Sequence, residues 1–368
     1  THSMKTGIDL RRTHYLTQNT GNILNLSFNA DWTRRDWRQA EATAGDGFAS
    51  FLLGLPTGGG SNFPLYPFFR QWYFAPYFQD DWKVTRKLTL NLGLRWDANM
   101  APDEKWNRLN RGFDRGATSP IAALIPASFK QTTPSLANLK GGLNFAGVKG
   151  VNTRAADFYR NTFQPRVGAA YQLTNKLVVR GGWGLYYINP NNDYLQTNGF
   201  STSTTLVNSL DGGRNPITGL TSNPFPGGLA VPDGASQGYN TFAGRNFSWY
   251  NPDFKIPHVH QFSFGFQYQV SRTGTLDFSY VGNRTRNLQT NKDSNLPSLE
   301  FRKQCNWLEG GVPAFCDALV PNPFQGLEPF RGQTFFSAPT ISRFQLNRPF
   351  PQFNGNLNQV GLNQGKLW

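Results

Sequence analysis

Residues 88–96, LTLNLGLRW, alternate between apolar and polar side chains without interruption. Leucine or tryptophan occupies every even position, and Thr, Asn, Gly and Arg95 occupy the odd positions. Because successive side chains of a β-strand point to opposite faces, this pattern predicts a strand that is apolar on one face and polar on the other. A chain that repeats the pattern must form a sheet whose two faces meet different surroundings.

The same alternation recurs along the chain. Residues 261–270 place Phe262, Phe264 and Phe266 on one face, and residues 275–283 follow the same rule. Residues 22–33 also alternate from Leu24 to Trp32, and we expect a strand there as well. Weaker alternation predicts further strands at 3–16, 68–83, 164–173, 176–188 and 354–364.

Short and long connections between these strands follow one another in a regular order. The short turns lie at about 17–21 and at 84–87, 174–176 and 271–274. The last three are too short for a crossover, so they predict antiparallel hairpins at 68–84/87–98, 162–174/176–189 and 257–270/273–286. The long connections are rich in Gly, Pro, Asn and Ser and lie at approximately 34–66, 98–162, 190–256 and 287–353.

These features predict an all-β fold, an antiparallel transmembrane β-barrel segment with short periplasmic turns and long extracellular loops. The alternating runs, of about 9–13 residues, exceed typical soluble strands and match a tilted membrane crossing. Aromatic residues such as Trp82, Trp96 and Tyr280 lie near strand ends, where their rings suit the lipid head-group boundary. A soluble β-sandwich that binds carbohydrate through aromatic side chains is the alternative, because alternation alone describes both.

The composition limits the partners of such a protein. The formal charge of +14 favours anionic partners such as outer-membrane lipid and lipopolysaccharide. The Lys and Arg residues are scattered without a dense basic run, so we expect no nucleic-acid binding. No apolar run reaches the length of about 18 residues that a transmembrane helix needs. The chain starts at Thr1 without a signal peptide, and its first residues read as the middle of a strand.

The polar face of the predicted strands is expected to line a wet lumen. Strand parity assigns the lumen-facing candidates Lys5, Asp9, Arg11, Arg95, Asp97, Arg166, Arg180 and Asp277. Charges of both signs on adjacent strands should pair, directly or through water. Removing one of them should cost far less than placing a charge on the lipid face, which costs roughly 2–4 kcal/mol at mid-bilayer.

Other residue groups indicate little chemistry. His258 and His260 share the parity of Phe262, so they should face outward near the membrane boundary, and we predict no metal site and no cofactor. No Ser, His and Asp set has a supporting motif, so we expect no enzyme. Cys305 and Cys316 should form a disulfide in an extracellular loop, with two unrelated buried thiols as the alternative.

Several segments resemble one family. Residues 77–97, YFQDDWKVTRKLTLNLGLRWD, resemble a barrel segment of TonB-dependent outer-membrane receptors. Four further segments are similar to the Oar-like subgroup of these receptors, and they occur along nearly the whole chain. They are GDGFASFLLGLP, NTFQPRVGAAYQLTNKLVVRGGWGLYY, GTLDFSYVGNRTRNLQTNKDSNLP and NRPFPQFNGNLNQVGLNQGK.

The resemblance implies a 22-stranded barrel with an N-terminal plug, which binds a scarce ligand outside the cell and imports it with energy from the TonB complex. Residues 1–368 are then expected to be an internal part of one barrel domain, with about eight or nine strands and without the plug through which TonB acts. The family spans iron chelates, cobalamin, saccharides and peptides, so the ligand stays unassigned. The alternative function is a structural or adhesive surface barrel without active transport.

Overall fold

The computed structural model describes residues 1–17, 23–36, 44–188, 195–211 and 214–367. The chain divides into two compact units. The first comprises Thr1–Tyr15, Phe68–Gln196 and Gly238–Trp368, and the second comprises Leu16–Pro67 and Thr197–Gln237. None of the helices in the described ranges has the length and apolar character needed to cross a membrane.

Strands make up most of the regular structure. They are β1 (His2–Leu16), β2 (Leu24–Ser27), β3 (Gly58–Phe63), β4 (Phe68–Lys83), β5 (Leu88–Trp96), β6 (Ala98–Asn99), β7 (Asp103–Glu104), β8 (Asn110–Thr118), β9 (Lys140–Phe145), β10 (Phe163–Gln172), β11 (Leu177–Tyr187), β12 (Thr202–Thr205), β13 (Phe247–Tyr250), β14 (His258–Gln269), β15 (Thr275–Asp293), β16 (Leu319–Pro321), β17 (Thr340–Ser342) and β18 (Leu357–Leu367).

The helices are short and lie between the long strands. They are α1 (Gly47–Leu52), α2 (Ile121–Leu124), α3 (Ala127–Thr132), α4 (Leu299–Lys303), α5 (Pro313–Asp317), α6 (Thr334–Ser337) and α7 (Arg343–Leu346). Single 3-10 turns cover Ala30–Trp32, Pro134–Asn138, Gly238–Asn240, Trp307–Glu309 and Glu328–Phe330.

An 11-stranded sheet dominates the first unit, and its main path runs β1-β4-β5-β10-β11-β14-β15-β18-β13. The pairs β4–β5, β10–β11 and β14–β15 are antiparallel, which confirms the three predicted hairpins. Because these hairpins are sequential neighbours, their short turns lie at one end of the strands and the long connections lie at the other end. We call the end with the long connections the loop edge and the opposite end the short-turn edge. At this loop edge, β13 pairs in parallel with the first residues of β18.

The two faces of this sheet differ in chemistry. One face, here called the apolar face, exposes large side chains in rows: Leu94, Val167, Phe262, Phe264, Phe266, Phe278 and Tyr280. Phe264 is 59% exposed and Tyr280 is 65% exposed, although both lie within paired strands. Such a continuous exposed apolar surface matches a lipid-facing sheet rather than the inner face of a soluble sandwich. The opposite, polar face carries the charged residues of the same strands.

The long connections of the first unit are folded. Residues 98–162 contain β6 to β9 with α2 and α3, and residues 287–353 contain α4 to α7. Fully buried side chains such as Phe324, Phe330 and Leu136 form a core among these connections. The rings of Phe324 and Phe330 lie 5.0 Å apart between centroids. The buried core of this unit therefore lies beyond the loop edge of the sheet, and the long strands contribute little to it.

The strand predicted for residues 22–33 is wrong. Among the described residues of this segment only Leu24–Ser27 forms a strand, and this β2 pairs with β3, whereas β1 pairs with β4. The backbone N–H of Asp31 donates to Asn29 Oδ1 at 2.8 Å, and this bond caps the 3-10 turn Ala30–Trp32. A side chain that bonds the neighbouring backbone competes with strand pairing, so the alternation does not persist. Most of the predicted turn at 17–21 lies outside the described residues.

The second unit contains a small sheet in the order β12-β3-β2 and the helix α1. Asp46 caps α1, because its Oδ1 accepts a hydrogen bond from the backbone N–H of Phe48 at 2.7 Å. Phe48 and Leu52 on this helix are 67% and 69% exposed.

Candidate functional site

Charged side chains from neighbouring strands converge on the polar face near the loop edge. Arg95 donates to Asp97 Oδ1 through Nε at 2.6 Å and to the Tyr73 hydroxyl oxygen through Nη2 at 2.7 Å. The Tyr73 hydroxyl donates to Asp97 at 2.9 Å, and Gln164 Nε2 donates to the other carboxylate oxygen at 2.5 Å. Four side chains from β4, β5, β10 and the residue after β5 therefore hold each other in place. We call this set, together with Asp9 and Arg11, the polar network.

Strand β1 completes the polar network. Arg11 donates to Asp9 through Nε at 2.8 Å, and its guanidinium lies 5.2 Å from the centroid of the Tyr73 ring. The Asp9 carboxylate also lies 3.6 Å from Arg95 Nη2. The network thus balances two arginines against two aspartates, and it presents hydrogen-bonding groups on the polar face without a large net charge.

The other predicted lumen residues lie on the same face but outside the polar network. Arg180 on β11 donates to Asp277 on β15, and both side chains are about half exposed. Arg166 lies over the ring of Tyr186, 4.8 Å from its centroid. Lys5 is exposed on β1, nearer the short-turn edge than Asp9.

A trough floored by glycine backbone crosses the centre of the polar face. Strand register aligns Gly93, Gly168, Gly182 and Gly184 near Arg166. A cavity of about 640 Å³ lies against these backbones, and Arg95 and Tyr186 also line it. A Cβ at Gly184 would come within 2.8 Å of the Tyr186 ring, so glycine is needed there for Tyr186 to lie flat and contact Arg166. The trough is thus a space large enough for a small solute, and Arg95, Arg166 and Tyr186 are among the residues that line it.

Tyr73 and Gln164 are the members of the polar network that the sequence analysis missed. Gln164 has the parity of Arg166 on the same predicted strand, so the alternation contained the signal needed to assign it. Tyr73 lies on β4, where both faces carry aromatic residues, so parity alone could not distinguish it from an apolar-face residue.

Glu104 anchors the loop edge next to the sheet, and sequence analysis gave no signal for it. Its side chain is fully buried and accepts hydrogen bonds from the backbone N–H groups of Phe68, Trp106 and Arg108 and from Arg108 Nη2 at 2.9 Å. Burial is the largest single influence and acts to raise the pKa of Glu104, but the hydrogen bonds to Arg108 and the backbone together lower it below the ordinary value.

Two further predicted groups lie at the loop edge. His258 and His260 pack ring to ring at 5.4 Å on the apolar face, and His260 stacks on Trp183. Among the described residues, no three His, Cys, Asp or Glu side chains lie close enough to hold a metal ion. Cys305 and Cys316 form a disulfide that links the end of α4 to α5, with Cys316 buried.

Comparison with known families agrees with this architecture. The model of the family described as Outer membrane beta barrel domain matches residues 1–366. The chain therefore belongs to this family of outer-membrane β-barrel proteins, and its place is the outer membrane of a Gram-negative-type bacterium. The comparison with curated proteins gives no significant match.

Two solved structures show limited similarity. The alcaligin outer membrane receptor FauA from Bordetella pertussis is 9% identical, with a TM-score of 0.28 over 65% of this chain and 26% of its own. The ferric-catecholate import receptor Fiu from E. coli K12 is 15% identical, with a TM-score of 0.33 over 79% of this chain and 30% of its own. The chain thus spans less than a third of the length of either receptor.

Proposed function

We propose that this chain is the barrel portion of a TonB-dependent receptor that binds a scarce ligand at its extracellular loops and imports it. The observation that carries this proposal is the polar face, with its paired charges and its glycine-lined trough of about 640 Å³. A solute-sized space lined by Arg95, Arg166 and glycine backbone suits a transport route, whereas a purely structural barrel has no need for one. The resemblance of residues 77–97 to TonB-dependent receptors supports the same proposal.

Genetic tests in the native host can examine import directly. The full-length gene and the gene for TonB are deleted separately, and growth is measured with single iron chelates, cobalamin, oligosaccharides or peptides as the limiting nutrient. Both deletions should abolish growth on the same nutrient. Uptake by the full-length protein that survives the loss of TonB would contradict the proposal.

A pair of point variants tests whether the polar network takes part in uptake. Arg95→Ala removes the residue that bonds Tyr73 and Asp97, and we expect initial uptake to fall by about tenfold or more. Arg180→Ala is the matched control, because it removes an arginine of the same face whose ion pair with Asp277 is solvent-exposed. Equal uptake by both variants would exclude a special role for the polar network.

One observation favours the second candidate, an adhesive surface protein. Trp307 and Leu308 follow Cys305 in the disulfide-linked segment and are 71% and 72% exposed. Exposed apolar side chains held by a disulfide suit contact with another surface. If adhesion is the function, Trp307→Ser with Leu308→Ser should reduce cell attachment, and deletion of the gene should leave growth on every tested nutrient unchanged.

A further inference from the structure

Cationic and imidazole side chains form a group on the apolar face at the loop edge. The register pairs His258 with Arg286 and His260 with Arg284, and on the other side it pairs Arg286 with Lys366. These five residues therefore share one face of β14, β15 and β18, and we call them the cationic row. Side chains directly opposite one another lie about 5 Å apart at Cβ, so the row spans roughly 10 Å across three strands.

This arrangement places like charges opposite one another. Arg286 and Lys366 are both exposed, and like charges in directly opposed positions destabilise a sheet. The carboxylates of β15 are engaged elsewhere. Asp277 is paired with Arg180 on the polar face, and Asp293 accepts hydrogen bonds from the backbone N–H groups of Asn295 and Leu357. An anion supplied from outside would offset the repulsion within the row.

The surroundings of the row indicate where that anion comes from. Trp183 stacks on His260 at 5.9 Å, and the Tyr187 ring lies 5.4 Å from His258. Trp and Tyr in a barrel mark the boundary between hydrocarbon and head groups. Since the long connections begin directly above, this boundary is that of the outer leaflet. A lipid of the outer leaflet that touches the row would keep its apolar part in hydrocarbon and place its anionic part at the row.

We infer that the cationic row is a binding site for the phosphorylated head group of an outer-leaflet glycolipid. Arg284 and Arg286 offer planar forks of donors that match phosphate oxygens, and Lys366 and the imidazole N–H groups add donors at the edges. Two observations carry this inference: the positive charge of the row complements a phosphate, and the row lies at the depth of the outer head groups. It does not depend on the import function, because the site faces lipid and not the polar face.

The inference is tested with the full-length protein purified in detergent. The site variant is Arg284→Gln, Arg286→Gln and Lys366→Gln together. The matched control is Arg86→Gln, Lys87→Gln and Arg272→Gln, which removes three exposed cations from the short turns and changes the net charge equally. Binding of bisphosphorylated lipid A is followed by native mass spectrometry and by the temperature of barrel unfolding. The same glycolipid without its phosphates serves as the probe for acyl-chain contacts alone.

We expect the wild-type and control proteins to bind the bisphosphorylated glycolipid and to gain thermal stability, and we expect at least about tenfold weaker binding by the site variant. Equal binding by all three proteins, or equal loss in both variants, would overturn the inference. So would equal binding of the dephosphorylated glycolipid, or full competition by inorganic phosphate, which would indicate a site for a soluble anion. If the triple variant fails to fold, Arg286→Gln alone with Arg272→Gln as control gives the same comparison.

Discussion

Glu104 is a single buried carboxylate at the loop edge, and it bonds the backbone of Phe68 at the start of β4 and that of Trp106 and Arg108. Glu104→Gln would keep the shape of the side chain but remove the charge that five donors surround, three of them on Arg108. We expect the local opening free energy at this edge to fall by about 3 kcal/mol, as for other broken buried ion pairs. Hydrogen exchange at Phe68, Trp106 and Arg108 measures it. The control, Glu328→Gln, breaks an exposed pair with Arg331 and should cost less than about 1 kcal/mol.

The same carboxylate gives a pH dependence with a defined sign. Because the pKa of Glu104 is lowered in the folded protein, its contribution is complete above the ordinary value of about 4.3 and is lost as the pH falls through the lowered pKa. The difference in protection between wild type and Glu104→Gln should therefore be constant near neutral pH and shrink in acid. A difference that grows as the pH falls would contradict this assignment.

At the scale of one strand, β14 allows the two faces to be compared at adjacent positions. Phe264 lies at the middle of β14 on the apolar face, and Ser263 lies beside it on the polar face along the trough. Phe264→Arg should lower the unfolding free energy of the full-length protein in lipid by about 2–4 kcal/mol, because it places a charge at mid-bilayer. Ser263→Arg should cost less than about 1 kcal/mol. Urea titration followed by tryptophan fluorescence measures both, and similar losses would place both faces in the same surroundings.

The disulfide-linked segment of α4 and α5 gives a second prediction at the scale of single elements. The link between Cys305 and Cys316 closes a short ring and brings the Phe301 and Phe315 rings of α4 and α5 to 6.1 Å. Replacing both cysteines with serine should lower the local stability of residues 299–317 by about 3 kcal/mol. Hydrogen exchange in this segment should rise, while residues 121–138 in the same sample serve as the internal control. Mass analysis after alkylation should find no free thiol in the oxidised wild-type protein.

The elements that sequence predicted are those specified by local pattern. The β10–β11 and β14–β15 hairpins follow from alternation and from turns too short for any other connection. The segment 22–33 has the same alternation, but the Asn29 side chain accepts a hydrogen bond from the backbone N–H of Asp31. Periodicity does not predict which hydrogen-bond partner a polar side chain has. Likewise, the pairing of Arg95 with Asp9 depends on the neighbourhood of β1 and β4 across more than 60 residues of chain, which no local pattern specifies.

The sheet as a whole is open within the described residues. β1 is the first strand in the order of the sheet, so one of its sides has no described partner. On one side of β15, β18 pairs with Thr285–Asp293 only, and Thr275–Arg284 have no described partner there. In hydrocarbon each unpaired backbone group costs several kcal/mol, so a membrane sheet does not tolerate such edges. We therefore expect these edges to pair with other strands in the assembled outer-membrane protein.

This expectation predicts how the 368-residue chain behaves when it is refolded alone. Refolded into detergent micelles or lipid vesicles, it should not give a compact monomer that shifts on heating in gel electrophoresis, because the edges of β1 and β15 stay unpaired. The full-length protein refolded under the same conditions is the control and should show the shift. In the full-length protein, amides on the outer edge of β1 should exchange as slowly as those that pair with β4. A stable, closed, monomeric barrel formed by the isolated chain would contradict the prediction, since it would require β1 and β15 to find partners within these residues.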